Sequence, residues 1–60
     1  MNIKTLERAA KRQGLTVETE YDPELEETLY VLRDKNGNYI GESNNKRLLC
    51  SYLQERGGEV

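Results

Sequence analysis

The sequence predicts an α+β fold in which two helices pack on one face of a three-stranded antiparallel sheet, in the order α-β-β-β-α. Three observations lead there. Apolar residues recur at three- and four-residue spacing towards both ends of the chain, the central stretch alternates as strands do, and an Asn-Gly pair separates two extended segments.

Asn2 is placed to cap the first helix, in which Ile3, Leu6 and Ala10, joined at the edge by Ala9, form an apolar stripe that requires a core. Gly14 is its expected left-handed stop, after which Leu15 returns an apolar side chain towards Ala10. The opposite surface carries Lys4, Arg8 and Lys11 with Arg12 beside them, and Glu7 and Lys11 are spaced for an ion pair of about 0.2–0.5 kcal/mol.

The period then changes from helical to alternating. Leu15, Val17, Thr19 and Tyr21 share one side of a first strand while Thr16, Glu18 and Glu20 face water. Asp22-Pro23-Glu24 interrupts it, because proline offers no amide donor and fixes its own φ. Extended structure resumes over residues 26–33, and the apolar run from Leu29 to Leu32 marks a central strand.

Asp34-Lys35-Asn36-Gly37 predicts a hairpin with one of two registers. A two-residue turn sets Arg33 opposite Ile40. A three-residue loop closed by Gly37 at positive φ sets Leu32 opposite Ile40 and Arg33 opposite Tyr39. The longer loop is expected, since it pairs two apolar residues and puts Tyr30 on their face. Ser43 or Asn44 then caps a second helix beginning near Asn45. Its apolar arc is Leu48, Leu49, Tyr52 and Leu53, extended by the stem of Arg56, and Gly57-Gly58 stops it. Residues 1–60 are thus expected to form one small domain with a short polar tail from about residue 57.

Size and composition narrow the function. A 60-residue chain that is 35% hydrophobic and 33% charged buries only about 60% of its unfolded surface, so its stability margin is thin or shared with a second copy. A large enclosed active site is not expected. With no His and one Cys, the chain offers no Cys/His zinc cluster, no His-centred triad and no internal disulfide. It has neither a signal-peptide pattern nor an apolar run near the roughly 18 residues that cross a bilayer, so a cytoplasmic setting without membrane contact is expected.

The remaining chemical candidates have plainer explanations. Glu18 and Glu20 lie two residues apart on one strand face, as solvated surface carboxylates do. Asp34-Lys35-Asn36-Gly37-Asn38 lacks the acidic positions and terminal glutamate of an EF-hand loop. Gly37 and Gly41 belong to a turn and a strand end, and Cys50 has no nucleophile motif around it. No catalytic, cofactor or metal residue is therefore assigned, and the chain is not expected to be an enzyme.

The net charge of -2 hides a division along the chain. Residues 1–14 carry +3, whereas residues 15–32 carry -6 through Glu18, Glu20, Asp22, Glu24, Glu26 and Glu27. Two function classes follow. One is a nucleic-acid-binding module in which Lys4, Arg8, Lys11, Arg12, Lys46 and Arg47 contact backbone phosphates. The element order resembles that of double-stranded RNA-binding domains, and Gly41-Glu42-Ser43-Asn44-Asn45-Lys46-Arg47 sits where that family places a glycine and the basic start of its second helix. That resemblance implies phosphate contacts from Lys46 and Arg47, although Asn44 and Asn45 precede them where the family carries consecutive lysines.

The other class, favoured here, is a non-catalytic protein-interaction, adaptor or inhibitor module, with a homodimer as one form. Both faces of the central strand cannot lie under the helices, so Leu29 and Val31, or Tyr30 and Leu32 in the reversed register, are left on a second face with Tyr39 near the hairpin. Leu29, Tyr30, Val31 and Tyr39 are the protein-contact candidates.

Overall fold

Helix α1 spans Ile3–Lys11 and opens on Asn2, whose side-chain oxygen accepts the Lys4 amide at 3.0 Å. The computed structural model describes residues 2–57. Leu6 and Ala10 are buried, with Ile3 and Ala9 packed beside them. The chain leaves α1 through Arg12 and Gln13, and Gly14 takes φ +74, the left-handed stop its position predicts. Leu15 then enters the same buried cluster as Ala10.

Three strands follow, β1 (Leu15–Asp22), β2 (Glu27–Asp34) and β3 (Tyr39–Ser43), in an antiparallel sheet of order β1-β2-β3. The apolar run is therefore central, as expected. Val17 pairs with Leu32 and Thr19 with Tyr30, so strand alternation puts Leu15, Val17, Tyr30 and Leu32 on the helix side. Thr16, Glu18, Glu20, Leu29, Val31 and Arg33 take the reverse side. Helix cover ends part-way along the first hairpin: Leu15 is buried, Val17 half-buried, and Thr19 and Tyr21 are exposed.

The two turns are built differently. Asp22 opens the first, its Oδ1 accepting the amides of Glu24 at 2.9 Å and Leu25 at 3.4 Å. Glu26, expected to be extended, instead closes this turn at φ +53, and β2 begins one residue later. A four-residue reversal between the paired Asp22 and Glu27 brings the chain back through a left-handed residue, and here it falls on a glutamate.

In the second turn Asp34 O accepts the Gly37 amide and Asn38 O accepts the Asp34 amide, both at 3.0 Å, with Gly37 at φ +83. This is the longer loop. Arg33 faces Tyr39 as expected, but Leu32 faces Gly41 and not Ile40. A bulge inserts Ile40 as an extra residue, which lets it pack on the core while Tyr39 stays beside Arg33.

Helix α2 (Lys46–Arg56) is capped by Asn45, one residue beyond Asn44 and two beyond Ser43, the two expected caps. Asn45 Oδ1 accepts the amides of Arg47 at 2.9 Å and Leu48 at 3.3 Å, while Ser43 Oγ accepts the Asn45 amide at 3.0 Å. The inward seam is Leu49 and Leu53 with Cys50 packed beside them. Leu48 and Tyr52, assigned to the core by spacing alone, lie outside it. Both helices thus cover one side of the sheet and share a core with Leu15 and Leu32.

The C-terminal ends of α1 and α2 are adjacent, joined by the Gln13 amide. Its Nε2 donates to Leu53 O, and its Oε1 accepts from Arg56 at 3.3 Å. Gly57 caps α2 through its N–H to Leu53 O at 2.9 Å, and a β-carbon there would come within 2.9 Å of the Gln13 side chain. Gly58 and the rest of the expected tail lie outside the described residues. No helix among the described residues is long and apolar enough to cross a membrane.

Candidate protein-contact surfaces

The reverse face of the sheet has a small apolar centre under charged neighbours. Val31 retains only 3% exposure. It lies opposite Glu18 on one side and Glu42 on the other, between Leu29 and Arg33 along its own strand. The Arg33 guanidinium reaches Glu18 Oε1 at 2.6 Å and donates to Gly37 O at 3.1 Å, which holds it across this face. Tyr39 is 55% exposed and donates from its hydroxyl to Glu42 Oε1 at 3.1 Å. Its phenol titrates above the usual 10.0, first from partial desolvation and then from the Glu42 carboxylate, so it stays a neutral donor.

Three of the four contact candidates, Leu29, Val31 and Tyr39, therefore share this face. Tyr30 is on the other side, half-buried against the core with the Lys46 ammonium 5.4 Å from its ring centre.

The six basic candidates are distributed over three surfaces. Lys4, Arg8 and Lys11 line a shallow depression on α1 together with Glu7. Arg12 borders a different hollow, between the C-terminal ends of the helices, beside Gln13, Cys50 and Gly57. Lys46 and Arg47 sit at the start of α2 with Asn44 and Asn45.

Asp34 uses its carboxylate within the second turn. Its oxygens accept from the amides of Asn36 at 2.8 Å and Asn38 at 2.9 Å, and from Asn38 Nδ2 at 3.1 Å. These donors, the Asn38 amide foremost, hold its pKa below the usual 3.8. No group of three His, Cys, Asp or Glu side chains among the described residues is placed to hold a metal ion.

A mainly apolar concavity runs along β3, where Ile40, Gly41, Glu42 and Ser43 meet Leu48, Leu49 and Tyr52 of α2. Leu48 is 61% exposed and Tyr52 41%. β3 is an edge strand, and no strand among the described residues pairs with its outer side. Helical spacing alone does not reveal this surface, because residues 48, 49, 52 and 53 fit one arc. Placing Cys50 with Leu49 and Leu53 on the inner arc rotates the helix and turns Leu48 and Tyr52 outward.

The other sheet edge has the same construction with different chemistry, since the depression along β1 is bounded by Glu7 and Lys11 of α1 beside Leu15, Thr16 and Val17. Beyond both helices, exposed Tyr21 and Leu25 sit among the carboxylates of the first hairpin. Comparison of the chain with protein-family models, characterised proteins and solved structures gives no match.

Proposed function

We propose that the protein acts by binding another protein, as a small adaptor or inhibitor module without chemistry of its own. The observation that carries this reading is the pair Leu48 and Tyr52, exposed on α2 above the unpaired edge of β3 although the core is already filled by Leu49 and Leu53. An aromatic and an aliphatic side chain standing over a concave, mainly apolar surface supply the kind of anchor that dominates protein interfaces. Tyr39 and Leu29 extend exposed or half-buried apolar surface onto the reverse face. The setting we propose is cytoplasmic, where the unpaired Cys50 thiol stays reduced.

The test compares the native chain with Leu48→Asp and Tyr52→Ala in affinity capture and in analytical ultracentrifugation. A partner, or a second copy, that is held by the native chain and lost from both variants while their circular dichroism is unchanged supports the reading. Equal capture by all three chains contradicts it at this surface. Anisotropy of a labelled RNA or DNA duplex measures the alternative directly: binding that falls with salt and is weakened by reversing Lys4, Arg8 or Lys11 assigns the activity to nucleic acid.

A further inference from the structure

We infer that the occupant of the β3 edge is an extended segment of a partner protein. It joins the sheet as a fourth strand, with apolar side chains under Leu48 and Tyr52 and a basic side chain beside Glu42. This rests on the protein-binding reading above and adds the partner's conformation and charge. An edge strand presents a row of unpaired main-chain donors and acceptors, and strand addition satisfies them while alternate side chains fall on the two sides of the sheet. On the helix side, the side chains of an added strand enter the concavity between Ile40 and the outward flank of α2. On the reverse side they meet Glu42, which accepts the Tyr39 hydroxyl and has no cation partner among the described residues.

The register argues against a second copy as the occupant. A two-fold β3–β3 pair centred on Glu42 keeps Gly41 and Ser43 on the helix side of both copies and sets Glu42 directly opposite Glu42, where like charges repel. Centring the pair on Gly41 sets Ile40 of the helix side opposite Glu42 of the reverse side. Each of these two self-pairings thus carries a charge or face conflict, and a foreign strand with a lysine or arginine opposite Glu42 meets neither obstacle. The other edge, beneath Glu7 and Lys11, lacks the apolar overhang.

The probe is a capped hexapeptide of alternating valine and lysine, with fluorescence-anisotropy titrations at near-physiological salt. Saturable binding is expected. N-methylation of alternate peptide amides should weaken it at least tenfold, because the main chain carries the contact. Leu48→Asp should abolish it with the fold intact by circular dichroism. Glu42→Lys should weaken it about threefold and strengthen a valine–glutamate peptide by a similar factor, the size of one exposed cross-strand ion pair. Glu24→Lys, in the acidic hairpin end, should change neither.

Equal binding of the N-methylated peptide, equal effects of Glu24→Lys and Glu42→Lys, or no saturable binding would overturn strand addition. If the peptide fails while affinity capture still depends on Leu48 and Tyr52, strand addition falls and the broader reading stands. If capture is also indifferent to both residues, the two fail together.

Discussion

The two edges of the sheet share a geometry and differ in chemistry. Each is overhung by one flank of a helix: Glu7 and Lys11 of α1 lie along β1, and Leu48 and Tyr52 of α2 lie along β3. Exposed strand edges invite unwanted pairing, and charged side chains nearby are a common defence. β1 has that defence. β3 is short and bulged, which limits self-pairing, but apolar side chains stand over it. The contrast teaches that a small domain can close one edge to strands and leave the other selectively open.

The largest expected effect tests whether α2 is anchored by its inner seam alone. Leu53→Ala should cost about 2–5 kcal/mol. At ~0.05–0.15 kcal/mol per residue, a domain of this size is stable by only about 3–9 kcal/mol, so the loss removes a large part of that margin and thermal melting should show a midpoint lowered by roughly 10 °C or more. A native-like melting temperature would mean that the outer pair holds the helix.

Next come the turns, which should respond in opposite directions. Gly37→Val forces a β-branched residue to φ +83 at the loop that sets the β3 register, and should lose about 1–2 kcal/mol in urea unfolding. Glu26→Gly relieves a left-handed glutamate in the other hairpin and should gain about 0.5–1 kcal/mol after the entropy cost of glycine. A loss at Glu26 would show that this carboxylate contributes more to the fold than its backbone strain costs.

Converting the β3 overhang to the β1 kind, with Leu48→Lys and Tyr52→Glu together, should change stability by no more than about 0.5 kcal/mol and remove partner binding. The smallest effect is pH-dependent. Asp34 has a depressed pKa in the folded state, so its contribution is complete above about pH 3.8 and is lost as pH falls through the lower folded value. Asp34→Asn should lack that acid-side component when melting curves of the two chains are compared from pH 6 downwards.

Much of the fold was legible because local and global preferences agree. Asn2, Gly14 and the alternation of Leu15 and Val17 each have one workable backbone role, and Gly37 marks the hairpin turn by the positive φ that either loop requires. The errors fall where tertiary packing chooses between locally equivalent options. Residues 48, 49, 52 and 53 fit one arc, and only the position of α2 over the sheet edge decides that Leu49 and Leu53 go in. Ile40 is apolar in either register, and the bulge that turns it inward has no local signature here. The reverse face was visible as a pattern in Leu29 and Val31. Its cover was not, since the Arg33–Glu18 pair depends on strands aligned across the sheet.

The account depends on the outer side of β3 being where a partner strand binds. Mapping amide shifts by two-dimensional nitrogen–proton NMR, while the valine–lysine peptide is titrated into the folded chain, measures this directly. The expected result is a set of shifts concentrated on Tyr39–Ser43 and around Leu48 and Tyr52, with α1 and β1 unmoved. Shifts gathered instead on the acidic end of the first hairpin, or along β1 beneath Glu7 and Lys11, would contradict it.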